Sequence, residues 1–198
     1  MSESLVGATT IEAAKFVVGQ NPQIANVFYR KYVYVPAQLG KDEMIPVSRE
    51  NFLRGLDPKI LIFAEETQAN IALDSRVNLL DGAKGHLLMM DLTLSKGLAG
   101  LQTTEERLRS CIIPHFGGGF LMETGQSYHF LGNQITNQEG WINFLGRCLV
   151  TSEVTKDKGF IEVADTRYIG FSLLRGSNGL RLTTRGTKSF IPRVVAIL

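Results

Sequence analysis

Asp91 stands at the end of an apolar run, HLLMMDLTL (residues 86–94). A carboxylate there is costly unless a cation or hydrogen-bond donors meet it. It reads either as a metal ligand or catalytic acid at a strand end, or as a strand-terminating aspartate capping the turn toward Lys96 and Gly97. Thr93, two residues on, shares its side of an extended chain. His129 is the second candidate. In GGGFLMETGQSYHFLG (117–132) two short apolar runs flank Thr124–Gly125–Gln126, the pattern of a β-hairpin. Ser127 and His129 then share one face and offer a hydroxyl and an imidazole to a phosphate; a satisfied interior histidine is the alternative. Asp165 follows the apolar Phe160–Ala164 stretch and opens a third segment. In it Arg175 precedes Gly176–Ser177–Asn178–Gly179, a cation beside an amide-rich turn that suits a phosphate. Arg181, Thr183 and Arg185 alternate on one strand face, with Lys188 just beyond, and a solvated basic face is the competing reading.

The elements that must position these residues are signalled unevenly. Thr9/Glu12, Thr103/Glu106 and Thr136/Glu139 are capping-box patterns that predict helices over 10–19, 104–113 and 137–149. Further helices are predicted over 65–80 and after Ser48. Strands are predicted at 27–35, 59–63, 86–94, 119–122, 127–131, 180–184 and 194–198. Interspersed strands and helices give an α+β fold with a mixed sheet. Residues 1–58 read as a lead-in or small lobe packed on a core formed by 59–198.

The 198 residues carry 21 Lys/Arg and 19 Asp/Glu, a net charge of +2 that selects no partner. The charge is nevertheless divided. Residues 1–146 hold 12 basic and 15 acidic side chains, whereas residues 147–198 hold 9 and 4. Beyond Asp165 come six cations and no acid, unlike the usual interspersed surface. With 44% hydrophobic residues, the chain is not globally disordered. No apolar run reaches membrane-spanning length, and the N-terminus lacks the pattern of a secretory signal. With only two cysteines, a cytoplasmic location is expected. Three histidines and two cysteines fit no zinc-ligand spacing, and a GxSxG nucleophile elbow is absent.

In order and spacing, Asp91–Leu92–Thr93, Ser127–Tyr128–His129 and Ala164–Asp165 resemble the three motifs of the archaeo-eukaryotic primase superfamily, particularly its small stand-alone primase-like members. Those motifs are Asp-hydrophobic-Asp, Ser-x-His and hydrophobic-Asp, and the apolar Leu173–Leu174 followed by Arg175 extends the match. The resemblance covers roughly residues 60–198 and leaves 1–58 unaligned. It implies an RRM-like palm, a nucleotidyltransferase activity, and Mg²⁺ or Mn²⁺ held by Asp91 and Asp165 as a two-metal centre. It further implies Ser127, His129 and Arg175 on a nucleoside triphosphate, with Arg181, Arg185 and Lys188 along single-stranded or primed nucleic acid. The chain departs from the family where Thr93 replaces the second aspartate and Ser172 replaces a histidine found in some relatives. Glu123 and Glu162 are the acids that could substitute for the missing carboxylate. That departure raises the alternative of a catalytically degenerate primase fold that acts as a nucleotide- or nucleic-acid-binding or interaction module.

Overall fold

The computed structural model describes residues 5–32, 42–55, 69–155, 159–183 and 190–198. Its framework is an eight-stranded sheet in the order β10-β5-β6-β4-β3-β1-β2, with β9 paired to β3. The strands are β1 (Ile24–Tyr32), β2 (Glu43–Ser48), β3 (Asn70–Leu79), β4 (Lys84–Leu92), β5 (Gly119–Glu123), β6 (Tyr128–Thr136), β9 (Gly179–Arg181) and β10 (Arg193–Ile197). β7 (Glu153–Thr155) and β8 (Gly159–Ile161) form a separate ribbon. Helices α1 (Thr10–Gln20), α2 (Arg49–Arg54), α3 (Leu98–Cys111), α4 (Ile113–Phe116), α5 (Gln138–Val150) and α6 (Thr166–Arg175) complete the α+β fold. Every pairing among the described strands is antiparallel, so the sheet is not the mixed one expected.

The order β4–α3–β5–β6–α5 followed by a bridge from Ala164 back to Leu92 is the RRM topology, with β4 central between β6 and the 163–165 segment. Alternation divides β4 between two cores. Leu88, Met90 and Leu92 face the helix side with Leu108, Trp141, Phe144, Leu145 and Ile169. Leu87 and Met89 face the other side, where Ala13, Ala14, Val17 and Val18 of α1 and Phe52 of α2 close part of the sheet. Apolar positions one turn apart on α1 explain why it lies there.

The Thr9/Glu12 capping box forms as predicted, with the Glu12 carboxylate accepting from the Thr9 N–H at 2.7 Å. Ser48 likewise caps α2. Asn137, not Thr136, caps α5. Thr103/Glu106 is no helix start, because α3 already begins at Leu98 and Thr104 donates to the Gly100 carbonyl inside it. The helix predicted over 65–80 is instead β3 within the described residues. The strand predicted at 59–63 lies outside them. Residues 166–175, not predicted as regular structure, form α6.

β3 and β4 pair only at Arg76–Asn78 with Lys84–His86, then diverge. Asn178, fully buried, closes the fork. Its side-chain amide donates to the Met89 carbonyl at 2.6 Å and its N–H to Ser75 Oγ at 3.1 Å, while its side-chain oxygen accepts from Trp141 Nε1 at 3.4 Å. No described helix is long and apolar enough to cross a membrane.

Candidate functional site

The fork exposes the end of β4 to partners on both edges. On one side Asp91 lies directly opposite His129 of β6, and its Oδ1 is 3.4 Å from His129 Nε2. On the other, the Asp165 N–H donates to the Asp91 carbonyl at 3.0 Å and the Thr93 N–H to the Val163 carbonyl at 2.9 Å. These bonds flank the Leu92–Ala164 bridge, so Asp91 and Asp165 occupy opposed positions, with Cα atoms about 5.5 Å apart in such a pair. His129, Asp91 and Asp165 therefore form a row across three neighbouring extended segments. By alternation from Met89 and Leu131, Asp91 and His129 project from the face opposite α3 and α5.

Asp165 also caps α6. Its Oδ1 accepts from the Arg167 and Tyr168 N–H groups at 2.9 and 3.0 Å, while Oδ2 has no donor among the described residues. The two amides at the N-terminus of α6 orient that carboxylate. Carboxylate oxygens are the donor type that Mg²⁺ or Mn²⁺ takes, and Asp91 and Asp165 are the two carboxylates that the backbone pairing brings to this strand end. A second metal has less support. Thr93 donates its hydroxyl to the Glu162 carbonyl at 2.5 Å, and the Glu162 carboxylate accepts from Thr166 N and Oγ1 at 3.2 and 2.7 Å. Glu123 ends β5 opposite Tyr128 and Arg193. No group of three or more metal-ligating His, Cys, Asp or Glu side chains occurs among the described residues.

The other candidates separate. Ser127 lies in the hairpin turn, its Oγ 3.3 Å from Thr124 Oγ1 and its carbonyl accepting from Thr124 N at 2.8 Å. Arg181 ends β9 and donates to the Thr183 carbonyl at 3.0 Å. Burial lowers its pKa, and the charges of Tyr32 and Asp91 act in the opposite direction. The expected alternation of Arg181, Thr183 and Arg185 on one strand does not form through Thr183, because β9 ends at Arg181 and Thr183 Oγ1 accepts from Ile71 N at 2.9 Å. Arg185 and Lys188 lie outside the described residues. Arg175, at the end of α6, pairs through Nε with Asp42 Oδ2 at 3.1 Å.

The sequence profile described as archaeo-eukaryotic primase 1D-like matches residues 59–190, about two thirds of the chain. The chain belongs to the archaeo-eukaryotic primase 1D-like family. No curated protein and no solved structure matches it significantly. The matched segment of this primase-like chain contains Asp91, His129 and Asp165 and the topology that aligns them.

Sequence reasoning missed a second polar cluster beside this row. The Arg30 guanidinium binds the buried Asp74 carboxylate, Ser177 Oγ and the Asn178 carbonyl. Asp74 Oδ1 also accepts from Arg76 N and Nε at 3.0 and 2.9 Å. A charged residue inside the apolar IALDS stretch was the available signal, the same one that singled out Asp91. Tyr168 connects cluster and row: its N–H donates to Asp165 Oδ1 and its hydroxyl to the Gly179 carbonyl, next to the Asn178 carbonyl that Arg30 binds. Burial raises the pKa of Tyr168, with Asp91 adding to the rise and Arg30 opposing it. Burial also raises that of Tyr32, against Arg181 and Arg30.

Proposed function

We propose that this chain is a primase-type nucleotidyltransferase core that takes a nucleoside triphosphate, with Mg²⁺ or Mn²⁺, at Asp91 and Asp165, and nucleic acid along the basic segment that includes Arg181, Arg185 and Lys188. The observation that carries this reading is the row His129–Asp91–Asp165, assembled from three separate segments, with Asp91 and His129 on the face opposite α3 and α5. A divalent cation held by the two aspartates supplies neutralisation of the triphosphate and acidifies an attacking hydroxyl. The chain's own groups do the positioning. Asp165 is fixed by the α6 amides, and Asp91 by its place between two strands. His129, against Asp91, presents its ring to a phosphate, and Arg181 adds positive charge within electrostatic reach of Asp91. Backbone phosphates bound by the basic segment make affinity fall with salt.

Thr93 favours a second reading, nucleotide and nucleic-acid binding without turnover. Its hydroxyl is built into the strand pairing where the resemblance places a carboxylate, which leaves two acids for the metals. One experiment separates them: a primed template, Mn²⁺ and labelled nucleoside triphosphates, with Asp91→Asn alongside. Incorporation lost in the variant supports the enzyme. Nucleotide binding without incorporation supports the second reading. Neither binding nor incorporation overturns both.

A further inference from the structure

Asp42 closes the cation-rich cluster from outside. Its Oδ2 lies 3.1 Å from Arg175 Nε and 3.6 Å from Arg30 Nε, and its side chain is 11% exposed. The two arginines differ in how much they depend on it. Arg30 is already engaged by Asp74, Ser177 and the Asn178 carbonyl. Arg175 meets Asp42 through Nε alone, not through the two-point fork that guanidinium and carboxylate make at full strength, and its side chain is 26% exposed. Charge is also left over. Arg30, Arg76 and Arg175 face Asp74 and Asp42, three cations to two carboxylates, in a half-buried setting where imbalance is costly. A phosphate dianion in place of the Asp42 carboxylate would balance them.

We propose that Arg30 and Arg175 form a phosphate seat that the chain's own Asp42 occupies, and that the terminal phosphates of a nucleotide displace Asp42 from it. The seat rests on the nucleotide-binding reading above for its ligand, and it adds Arg30 and Asp42, which precede the family-matched segment. Its location suits that ligand. The Tyr168 N–H donates to Asp165 Oδ1 and its hydroxyl to the Gly179 carbonyl, next to the Asn178 carbonyl that Arg30 binds, so the seat adjoins the carboxylate row. Asp42 then acts as a competing anion: a nucleotide must exchange one carboxylate for its own phosphates, and removing that carboxylate should favour entry.

Inorganic tripolyphosphate in the presence of a chelator probes the seat without any metal, titrated by calorimetry into the full chain and its variants. Asp42→Asn should bind tripolyphosphate at least about fivefold more tightly than the parent, because a like charge beside the ligand is removed. Arg175→Gln should weaken binding by a similar factor and abolish the gain when combined with Asp42→Asn. The gain from Asp42→Asn should persist when Asp91→Asn is added, and it is read without metal, which keeps failure of the seat distinct from failure of the metal-dependent reading. Far-ultraviolet circular dichroism verifies folding, and Asp42→Ser serves as a second variant if Asp42→Asn does not fold. Equal or weaker tripolyphosphate binding by folded Asp42 variants overturns the proposal. So does a gain seen only with an unphosphorylated single-stranded oligonucleotide, which would assign the seat to a nucleic-acid backbone.

Discussion

Asp165 donates its N–H to the carbonyl of Asp91 at 3.0 Å, so two carboxylates 74 positions apart in sequence rise from facing positions on adjoining strands. Sheet pairing, not a loop, sets their separation. A site supported by strands keeps its geometry better than one carried on a flexible connection.

Replacing Asp91 with Asn should weaken Mn²⁺ binding at least about tenfold while leaving the fold intact, since one of two anionic ligands becomes neutral. Electron paramagnetic resonance of free Mn²⁺ measures it directly. Thermal stability should change little, because the pair with His129 is partly solvent-exposed and such pairs contribute weakly. Unchanged Mn²⁺ affinity would remove Asp91 from the metal site.

Asp165 has two separable duties. Asp165→Asn retains an N-cap of equal quality, so stability should hold while Mn²⁺ affinity drops. Asp165→Ala removes the acceptor of the Arg167 and Tyr168 amides and should cost about 1 kcal/mol in urea unfolding, as well as the metal.

Asn178→Ala should destabilise the chain by about 2–3 kcal/mol, because it leaves the Met89 carbonyl and the Trp141 indole N–H without their buried partner. Urea titration reads the loss. A change below about 0.5 kcal/mol would mean that the fork closes without this side chain.

His86 predicts an acid-side loss of stability. Its Nε2 meets Gln138 Oε1 at 2.8 Å, and its Nδ1 meets Ser75 Oγ at 3.1 Å. An amide oxygen only accepts, so Nε2 holds the proton and Nδ1 accepts from the hydroxyl. Burial pushes the imidazole's pKa below its ordinary 6.5, partly offset by the Gln138 bond and the Asp74 charge. Between the folded pKa and 6.5 the unfolded chain binds more protons, so stability rises with pH there. The contribution is complete above 6.5 and fades as pH falls through the folded value. Urea stabilities measured from about pH 7 to about pH 5 should show a shallower slope for His86→Gln than for the parent.

The palm was largely legible because its strands alternate and its motifs interrupt them with polar residues. Asp91 and His129 announced themselves as polar groups in apolar runs, and the Thr124–Gly125–Gln126 turn aligned the second strand. β3 was misread because Asp74 and Ser75 look like the polar side of a helix in a local window. Their partners, Arg30 and Asn178, stand 44 and 103 residues away, so nothing nearby marks them as buried. α6 is hidden for a related reason: Asp165 after an apolar stretch reads as a ligand, yet the same carboxylate caps the helix. The Thr103/Glu106 pattern misled because Leu98–Gln102 already supplies a helical turn ahead of it.

The core on the face of the palm opposite α3 and α5 is shared by distant parts of the chain. Met89, Met122 and Leu131 of the family-matched segment pack there with Ala13, Val17, Ile24, Tyr29 and Phe52, which precede it, and with Val194, which follows it. A fragment cut at residues 59 and 190 would bare that layer to water and self-associate. What descent has kept together as a family is thus narrower than what must fold together, and any attempt to transplant this palm has to carry its first helix and first strand along.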